Sequence, residues 1–587
     1  MAVRVAHILL SPATGGRRVR RALCAMLTAA APLLSPSSPA EAPDEAAAAV
    51  DRGAAAADAA DDAEAERARA AERAMLEQRG ARIGAVNVTI DNVFDPSNPE
   101  EDKPLYRWAN RVHIKTRESV IREVLLFRPG DPFEGRVLDE SARLLRDKGY
   151  LAEATVQHGR YDEATNTVEI DVWVRDAWSL APEIKLGRSG GENEWGIGLS
   201  DGNLLGTGRD LTVSYSSDVD RDETFAAYGN PNVFGSRVQL EVELGNASDG
   251  HRRRFISERP FYSLDTRWSL GGSVRDELRV DTMYDRGEEI DEFQHDIEAV
   301  SFYGGWSRGF EEDRTRRWLV GFNYEEDRFA PTPDVPQPLL LPEDRKLAYP
   351  WIGWQIVVDD YREMHELNDM GRTEDIPLGL NLKLTLGYAD EHFGADREAW
   401  LFGGEAHKGW EPGGPGRLLL FDAAASARRE RGELRNSVVS ASARYYHRNL
   451  GRHLFTASLS ALIGNRLDAD NQVLLGGDNG LRGYPLRYQS GERRAVLTLE
   501  QRFFTDWYPA RLFRVGYAVF MDVGRVWGED PRAVPSLGTL YDVGVGLRLS
   551  SPRSSGRSVV HIDLAFPLNG EDDADSVQLL LETKRSF

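Results

Sequence analysis

One arginine and two carboxylates are the residues of this sequence whose types and spacing predict a defined interaction. Arg482 stands near the end of the glycine-rich stretch Leu474–Pro485, and Glu500 and Asp522 follow in the next two segments of alternating polarity. A guanidinium stays ionised in almost any surroundings, so a buried one needs carboxylates close by. The predicted chemistry is a buried salt bridge. For the glycine-rich stretch alone, a solvated hairpin tip is the alternative.

Two β-strands must position the carboxylates. Strict alternation of apolar and polar residues predicts a strand, with successive side chains on opposite faces. Leu497 and Leu499 share one face, which places Glu500 on the other. In the next strand Val519 shares the apolar face, so Asp522 points to the polar side. We therefore predict that Arg482 folds back between the strands and bonds to Asp522, with Glu500 close by.

The glycine-rich stretch resembles the signature of the bacterial surface-antigen family, which includes BamA/TamA-type outer-membrane assembly proteins and two-partner-secretion transporters. The loop motif is Gly480, Leu481, Arg482, Gly483 and Tyr484, and the strand motif is Phe520, Asp522 and Gly524. In such proteins the loop folds into the barrel lumen and its arginine meets the inner wall. The resemblance covers the chain from about residue 83 to residue 587.

The predicted fold is mainly β, with a C-terminal antiparallel transmembrane β-barrel behind one small α+β POTRA domain. No run of eighteen apolar residues occurs, so the sequence contains no typical helical span. Alternation itself suggests roughly 18 to 20 strands, whereas the resemblance implies about 16, and we adopt the smaller number. We assign the barrel to residues 180–587, with the lumen-inserted loop at 464–493.

The N-terminus resembles an export signal. Arginines precede an apolar run that contains Cys24, and an Ala-Glu-Ala site ends the predicted signal peptide at residue 42. Residues 43–79 are acidic and alanine-rich, which predicts a solvated, partly helical linker with no core to join; the alternative is an acidic tether or docking helix. After cleavage at this site the chain contains no cysteine.

Residues 80–177 predict a strand, two helices and two further strands, which is the order of a POTRA domain. In family members such domains bind client polypeptides, partly by adding a strand to an exposed edge. A plain structural spacer is the alternative. Within the barrel, long polar inserts near 277–293, 327–346 and 359–377 predict external loops. The last strand, with Leu579, Leu581 and the terminal Phe587, resembles a barrel-assembly signal.

The predicted function is insertion of other barrels, or translocation of polypeptides, at the outer membrane of a Gram-negative bacterium. It would work without nucleotide, through a seam between the first and last strands and through strand pairing at the POTRA domain. An export pore for a dedicated exoprotein and a passive channel or structural barrel are the alternatives. No residue constellation predicts an enzyme, a metal site or a cofactor.

Lipid and lipopolysaccharide are expected partners, together with extended client polypeptides at the POTRA edge or the seam. The resemblance also implies periplasmic or lipoprotein partners. A net charge of −22 argues against nucleic acid. The acidic stretch Asp218–Asp222 lacks the central glycine and the terminal glutamate of a calcium loop, so we predict an acidic loop there.

Overall fold

The structure is a computed structural model that describes residues 67–584 except 415, 451–452, 529, 533 and 572–573. The predicted signal peptide, most of the predicted linker and Phe587 lie outside the described residues. The N-terminal domain contains helices α1 (67–78), α2 (Pro104–Val112), α3 (Glu118–Val124) and α4 (Gly135–Arg146) and strands β1 (Arg82–Asp91), β2 (Leu151–Asp162) and β3 (Thr167–Asp176).

The sheet of this domain has β3 in the centre, parallel to β1 and antiparallel to β2. Helices α3 and α4 place Ile121, Leu138 and Leu145 against the apolar face of the sheet, where Val168 and Ile170 are fully buried. The spacing of the three helix residues puts them on one side of their helices, as the sequence predicts. The core of the domain is thus made from its own residues.

Helix α1 differs from the sequence prediction. Residues 67–78, assigned to a linker without a core, pack on the domain and bury Leu76 completely. Arg73 pairs with Asp139 at 2.9 Å, and Glu77 accepts a hydrogen bond from the Gly135 amide at the start of α4. The segment shows no apolar periodicity because Leu76 does most of the packing, so sequence pattern misses this contact.

Twenty antiparallel strands close into one barrel. In chain order they are β4 (Leu180–Ser189), β5 (Glu192–Asp201), β6 (Asp210–Ser217), β7 (Asp222–Val233), β8 (Val238–Ala247), β9 (Gly250–Arg259), β10 (Trp268–Asp285), β11 (Glu288–Glu311), β12 (Arg314–Ala330), β13 (Arg345–Val358), β16 (Asn381–Ala389), β17 (Ala399–Trp410), β18 (Arg417–Glu430), β19 (Glu433–Leu450), β20 (His453–Asn465), β23 (Arg493–Phe504), β24 (Arg514–Trp527), β25 (Thr539–Ser550), β26 (Val559–Pro567) and β27 (Gln578–Lys584).

The prediction of about 16 strands is wrong, since the barrel has 20. The direct count of alternating segments, roughly 18 to 20, was closer, because each segment forms a separate strand across the barrel wall with its own turn. Five strands follow the arginine loop, as the sequence predicts. We call the end of the barrel that adjoins the N-terminal domain the proximal end, and the opposite end the distal end.

The outer surface of the barrel is apolar. On the first two strands Ile184, Leu186, Trp195, Ile197 and Leu199 are all largely exposed, and they alternate with residues that face the lumen. Such a surface is stable where lipid rather than water covers it. Among the described helices, none is long and apolar enough to cross a membrane.

Two short hairpins lie outside the barrel sheet. One is formed by β21 (Val473–Leu475) and β22 (Gln489–Gly491), within the distal loop between β20 and β23. The other is formed by β14 (Tyr361–His365) and β15 (Thr373–Pro377), between β13 and β16. The prediction of an external loop at 359–377 is therefore wrong, because β13 runs toward the proximal end and the hairpin emerges beside the N-terminal domain.

We expect residues 67–177 to fold alone and Leu76→Ala to lower their free energy of unfolding by about 2 to 5 kcal/mol, the usual cost of a cavity in a packed core. Denaturant unfolding followed by circular dichroism measures this change. The matched control is Leu105→Ala, which should have little effect because Leu105 is largely exposed. Equal stability of the Leu76→Ala variant and the unmodified fragment would contradict the placement of α1.

Candidate functional site

The distal loop between β20 and β23 folds back into the barrel and carries Arg482 to its inner wall. Residues 473–491 form the β21–β22 hairpin and the segment between its strands, and Arg482 is only 8% exposed there. At the distal rim Arg487 binds Asp220 through two contacts of 2.6 Å each. The acidic stretch 218–222 thus supplies a carboxylate that holds this loop.

Arg482 binds carboxylates from three different strands. Its Nε and Nη2 donate to the two oxygens of Asp522 at 2.7 and 3.0 Å, which is a bidentate pair. Its Nη1 donates to Glu500 and to Asp563, at 3.2 Å in each case. The guanidinium carbon lies 3.3 Å from the ring centre of Phe520. We call this set of contacts the latch.

Further charged groups surround the latch. Arg502 donates to Glu500 at 2.9 Å, and Arg548 contacts both Glu500 and Asp563. Asp542 accepts a hydrogen bond from the Gly483 amide at 3.1 Å. Three guanidinium groups thus meet four carboxyl groups in one buried network.

Sequence reasoning missed Asp542, Arg548 and Asp563, although the signal was present. All three stand at the polar positions of strands in which polar and apolar residues alternate. The alternation therefore places them on the lumen side, like Glu500 and Asp522. The alternation does not show at which height along the barrel each residue lies relative to the loop.

The small and apolar motif residues make room for the loop. Gly480 has a φ of +103°, a conformation that favours glycine, and a Cβ on Gly483 would lie 2.6 Å from Cβ of Asp542. Gly524 leaves space for Leu481, whose side chain would be 3.0 Å from a Cβ at that position. Leu481 and Tyr484 are completely buried.

The inserted loop also reaches both sides of the junction where β27 meets β4. The hydroxyl of Tyr484 donates to the backbone oxygen of Asn569, which follows β26, at 2.7 Å. The Leu486 amide donates to the carbonyl of Gly190, in the turn between β4 and β5, at 3.4 Å. One loop therefore contacts the chain on each side of the barrel closure.

A second segment enters the lumen from the proximal end. Between β14 and β15, Leu367 is completely buried and Met370 is nearly so, and both pack on apolar residues of the barrel wall. The carbonyl of Leu367 accepts a hydrogen bond from Arg502 Nη1 at 2.8 Å, so this segment touches the latch network. We call residues 359–380 the proximal plug.

The proximal plug is also bound to the N-terminal domain. Arg146, on α4, contacts Asp375 at 2.6 Å and Glu363 at 2.7 Å, and Arg143 contacts Asp359 at 2.7 Å. Burial raises the pKa of the Asp359 carboxyl, and Arg143 acts in the opposite direction. These ion pairs connect the domain to a segment that occupies the lumen.

Arg372 fixes the plug to backbone groups. It donates to the carbonyls of Leu151 at 3.3 Å, Pro552 at 3.1 Å and Ser554 at 2.6 Å. Burial lowers the pKa of Arg372 to about 10. The three carbonyls belong to the N-terminal domain and to the proximal turn between β25 and β26, so Arg372 joins three parts of the protein.

The lumen is not completely filled beside the plug. A cavity of about 510 Å³ is lined by small residues of β17, β18 and β19 together with His407 and Asp422. His407 contacts Asp422 at 2.8 Å and the carbonyl of Pro377, at the end of β15, also at 2.8 Å. Displacing the plug would therefore extend a polar space toward the proximal end.

The barrel closes where β27 meets β4, and among the described residues this is the weakest of its strand pairings. There, β27 and β4 share one register pair, Leu581 with Arg188, whereas each of the other neighbouring strand pairs has at least seven. We call the β27–β4 junction the seam. Leu579 is exposed on the outer face of β27, next to this junction.

The fold and the inserted loop define a class, that of outer-membrane β-barrels with an N-terminal periplasmic domain. Residues 112–176 match the POTRA model, described as a surface antigen variable number repeat, and residues 432–582 match the Omp85 superfamily domain. The chain thus contains a POTRA domain, which is expected to lie in the periplasm, and an Omp85 superfamily domain. The proximal end of the barrel is accordingly the periplasmic end. No curated protein sequence matches the chain.

Solved structures of low sequence identity match most of the chain. BamA from Haemophilus ducreyi lacking POTRA domains 1–3 is 12% identical, with 85% of this chain and 84% of that one covered and a TM-score of 0.36. CdiB from Acinetobacter baumannii is 12% identical, with 86% and 73% covered and a TM-score of 0.44. CdiB from Escherichia coli is 14% identical, with 86% and 90% covered and a TM-score of 0.35.

Arg482→Ala should weaken docking of the inserted loop by about 3 to 5 kcal/mol, since it leaves buried carboxylates without their cation. The barrel itself should still assemble and migrate differently on a gel before and after heating. Limited proteolysis within residues 473–491 measures loop release.

The control for this experiment is Arg487→Ala, in the same loop but at the distal rim, which should release the loop less. Asp522→Ala should resemble Arg482→Ala, and the double variant should be little worse than either. Additive effects of the two substitutions, or an unchanged cleavage rate, would contradict the latch.

Arg146→Glu should loosen the proximal plug, because it replaces attraction to Asp375 and Glu363 with repulsion. Conductance of the full chain in planar bilayers should rise and fluctuate more. The double variant Arg146→Glu/Asp375→Arg should recover part of the closed state. Arg160→Glu serves as control, since Arg160 is an exposed arginine of β2 that pairs with Glu169. If Arg146→Glu and Arg160→Glu conduct alike, the ion pairs do not hold the plug.

Proposed function

We propose that the protein inserts barrel proteins into the outer membrane, or moves polypeptides across it, by opening the seam between β27 and β4. The observation that carries the proposal is the single described register pair at that junction. Each backbone hydrogen bond left unmade in lipid is costly, so a poorly paired edge favours pairing with a strand of a client. This work requires no nucleotide.

The inserted loop supports the same proposal. Because Tyr484 holds the chain after β26 and Leu486 holds the turn after β4, docking of the latch favours a closed seam. Release of Arg482 would remove both restraints together. Extended clients would pair with an exposed strand edge of the POTRA domain before they reach the seam. Lipid and lipopolysaccharide surround the barrel, and periplasmic or lipoprotein partners are further proposed contacts.

Export of a dedicated polypeptide through the lumen is the second candidate. The cavity beside the proximal plug favours it, because displacement of one hairpin would lengthen that polar space. A passive channel is the least supported of the three candidate functions, because side chains fill much of the lumen. The latch and the plug occupy the lumen from opposite ends and bury charged and apolar side chains there.

A disulfide across the seam distinguishes the first two candidates. Leu581→Cys and Arg188→Cys would place cysteines at paired positions of antiparallel strands, within reach of a disulfide. Oxidation should stop insertion of other barrels into the membrane, and a reductant should restore it. Export through the lumen should continue in the oxidised state.

The matched control is a cysteine pair at Leu497 and Val523, register partners on β23 and β24 away from the seam. Oxidation of that pair should leave function intact. The readout is the outer-membrane proteome of cells that depend on the variant, together with the secreted fraction. Unchanged insertion of barrels with a fully formed seam disulfide would overturn the proposed role of the seam.

A further inference from the structure

Helix α2 has three differently composed sides. At about 100° per residue, Leu105, Trp108 and Val112 fall within roughly 60° of one another. Their side chains are 59%, 58% and 47% exposed. Arg111 and Arg107, the latter paired with Asp102 at 2.7 Å, form a second, basic sector beside the apolar one. Only the last residue of the helix, Val112, falls within the segment that matches the POTRA model.

The third side of α2 is fixed to the barrel. Tyr106 is buried, stacks on Phe94 with ring centres 4.6 Å apart, and donates through its hydroxyl to the carbonyl of Ala510. Leu512 packs against the same cluster. Ala510 and Leu512 belong to the periplasmic turn between β23 and β24. The helix is thus held at the rim of the barrel with its apolar side uncovered.

The turn on which α2 is docked also carries exposed apolar residues. In the same turn, Trp507 and Phe513 are 65% and 49% exposed. Directly above Phe513, Tyr517 and Val519 alternate along the outer face of β24 and are about half exposed. Aromatic residues at this level are typical of the boundary between lipid chains and headgroups.

We propose that α2 is an interfacial anchor that binds the periplasmic leaflet of the outer membrane. Leu105, Trp108 and Val112 enter the boundary between headgroups and acyl chains, and Arg107 and Arg111 lie at the phosphates of the phospholipid. The basic sector fits an anionic surface although the chain as a whole carries a charge of −22. The anchor holds the POTRA domain against the membrane beside strands that follow the inserted loop.

Cys24 is the only cysteine of the sequence, so a Cys24→Ser background allows a clean test with the full protein in lipid vesicles. Trp108→Cys introduces a single cysteine, which is labelled with an environment-sensitive fluorophore. The vesicles contain phosphatidylethanolamine and phosphatidylglycerol, with and without a phospholipid that carries a nitroxide at its headgroup. We expect blue-shifted emission and several-fold stronger quenching by the nitroxide lipid than at a control site. The control is Glu163→Cys, in the exposed turn between β2 and β3.

Quenching of the label by aqueous iodide shows whether water or polypeptide, rather than lipid, covers the helix. Strong iodide quenching at position 108 with weak lipid quenching would mean that water covers the helix, and this would overturn the proposal. Protection from both quenchers would mean that polypeptide covers it, and this would overturn it as well. A label at position 105 should repeat the result for position 108, which guards against a local effect of one substitution. Replacing phosphatidylglycerol with phosphatidylcholine should weaken the lipid quenching at both positions.

Discussion

The burial of one guanidinium inside the barrel is the constraint on which much of this structure depends. Arg482 cannot lose its charge, so its position in the lumen is stable only with carboxylates around it. Asp522, Glu500 and Asp563 come from three strands, and the glycines of the loop let the backbone approach them closely. The inner wall of the barrel and the path of the loop therefore specify each other.

Arg502 extends this network toward the periplasm. It contacts Glu500 on one side and the carbonyl of Leu367 on the other, so Arg502 links the latch to the proximal plug. The plug in turn pairs with Arg143 and Arg146 of the POTRA domain. A continuous chain of contacts thus joins the periplasmic domain to the centre of the lumen, and a movement of the domain has a direct physical route to the latch.

The seam and the proposed membrane anchor lie at the edges of this network. Tyr484 and Leu486 place the inserted loop across the seam at its distal end, whereas α2 is docked on the periplasmic turn of β23 and β24. A POTRA domain anchored to lipid on one side and ion-paired to the plug on the other would transmit client binding to both lumen segments. This arrangement suits a protein whose substrate enters from the periplasm and leaves sideways into the membrane.

Alternation in the sequence determined which side chains face the lumen, because strand parity is a local property. It accounts for Glu500 and Asp522, and applied to every strand it would have added Asp542 and Asp563. The end at which a loop emerges depends on the direction of the strand before it, which is why 359–377 was misplaced when its length alone was considered. The contact of Arg482 with Asp563, the docking of Leu76 and the weak seam depend on residues far apart in the chain, so only the tertiary structure decided them.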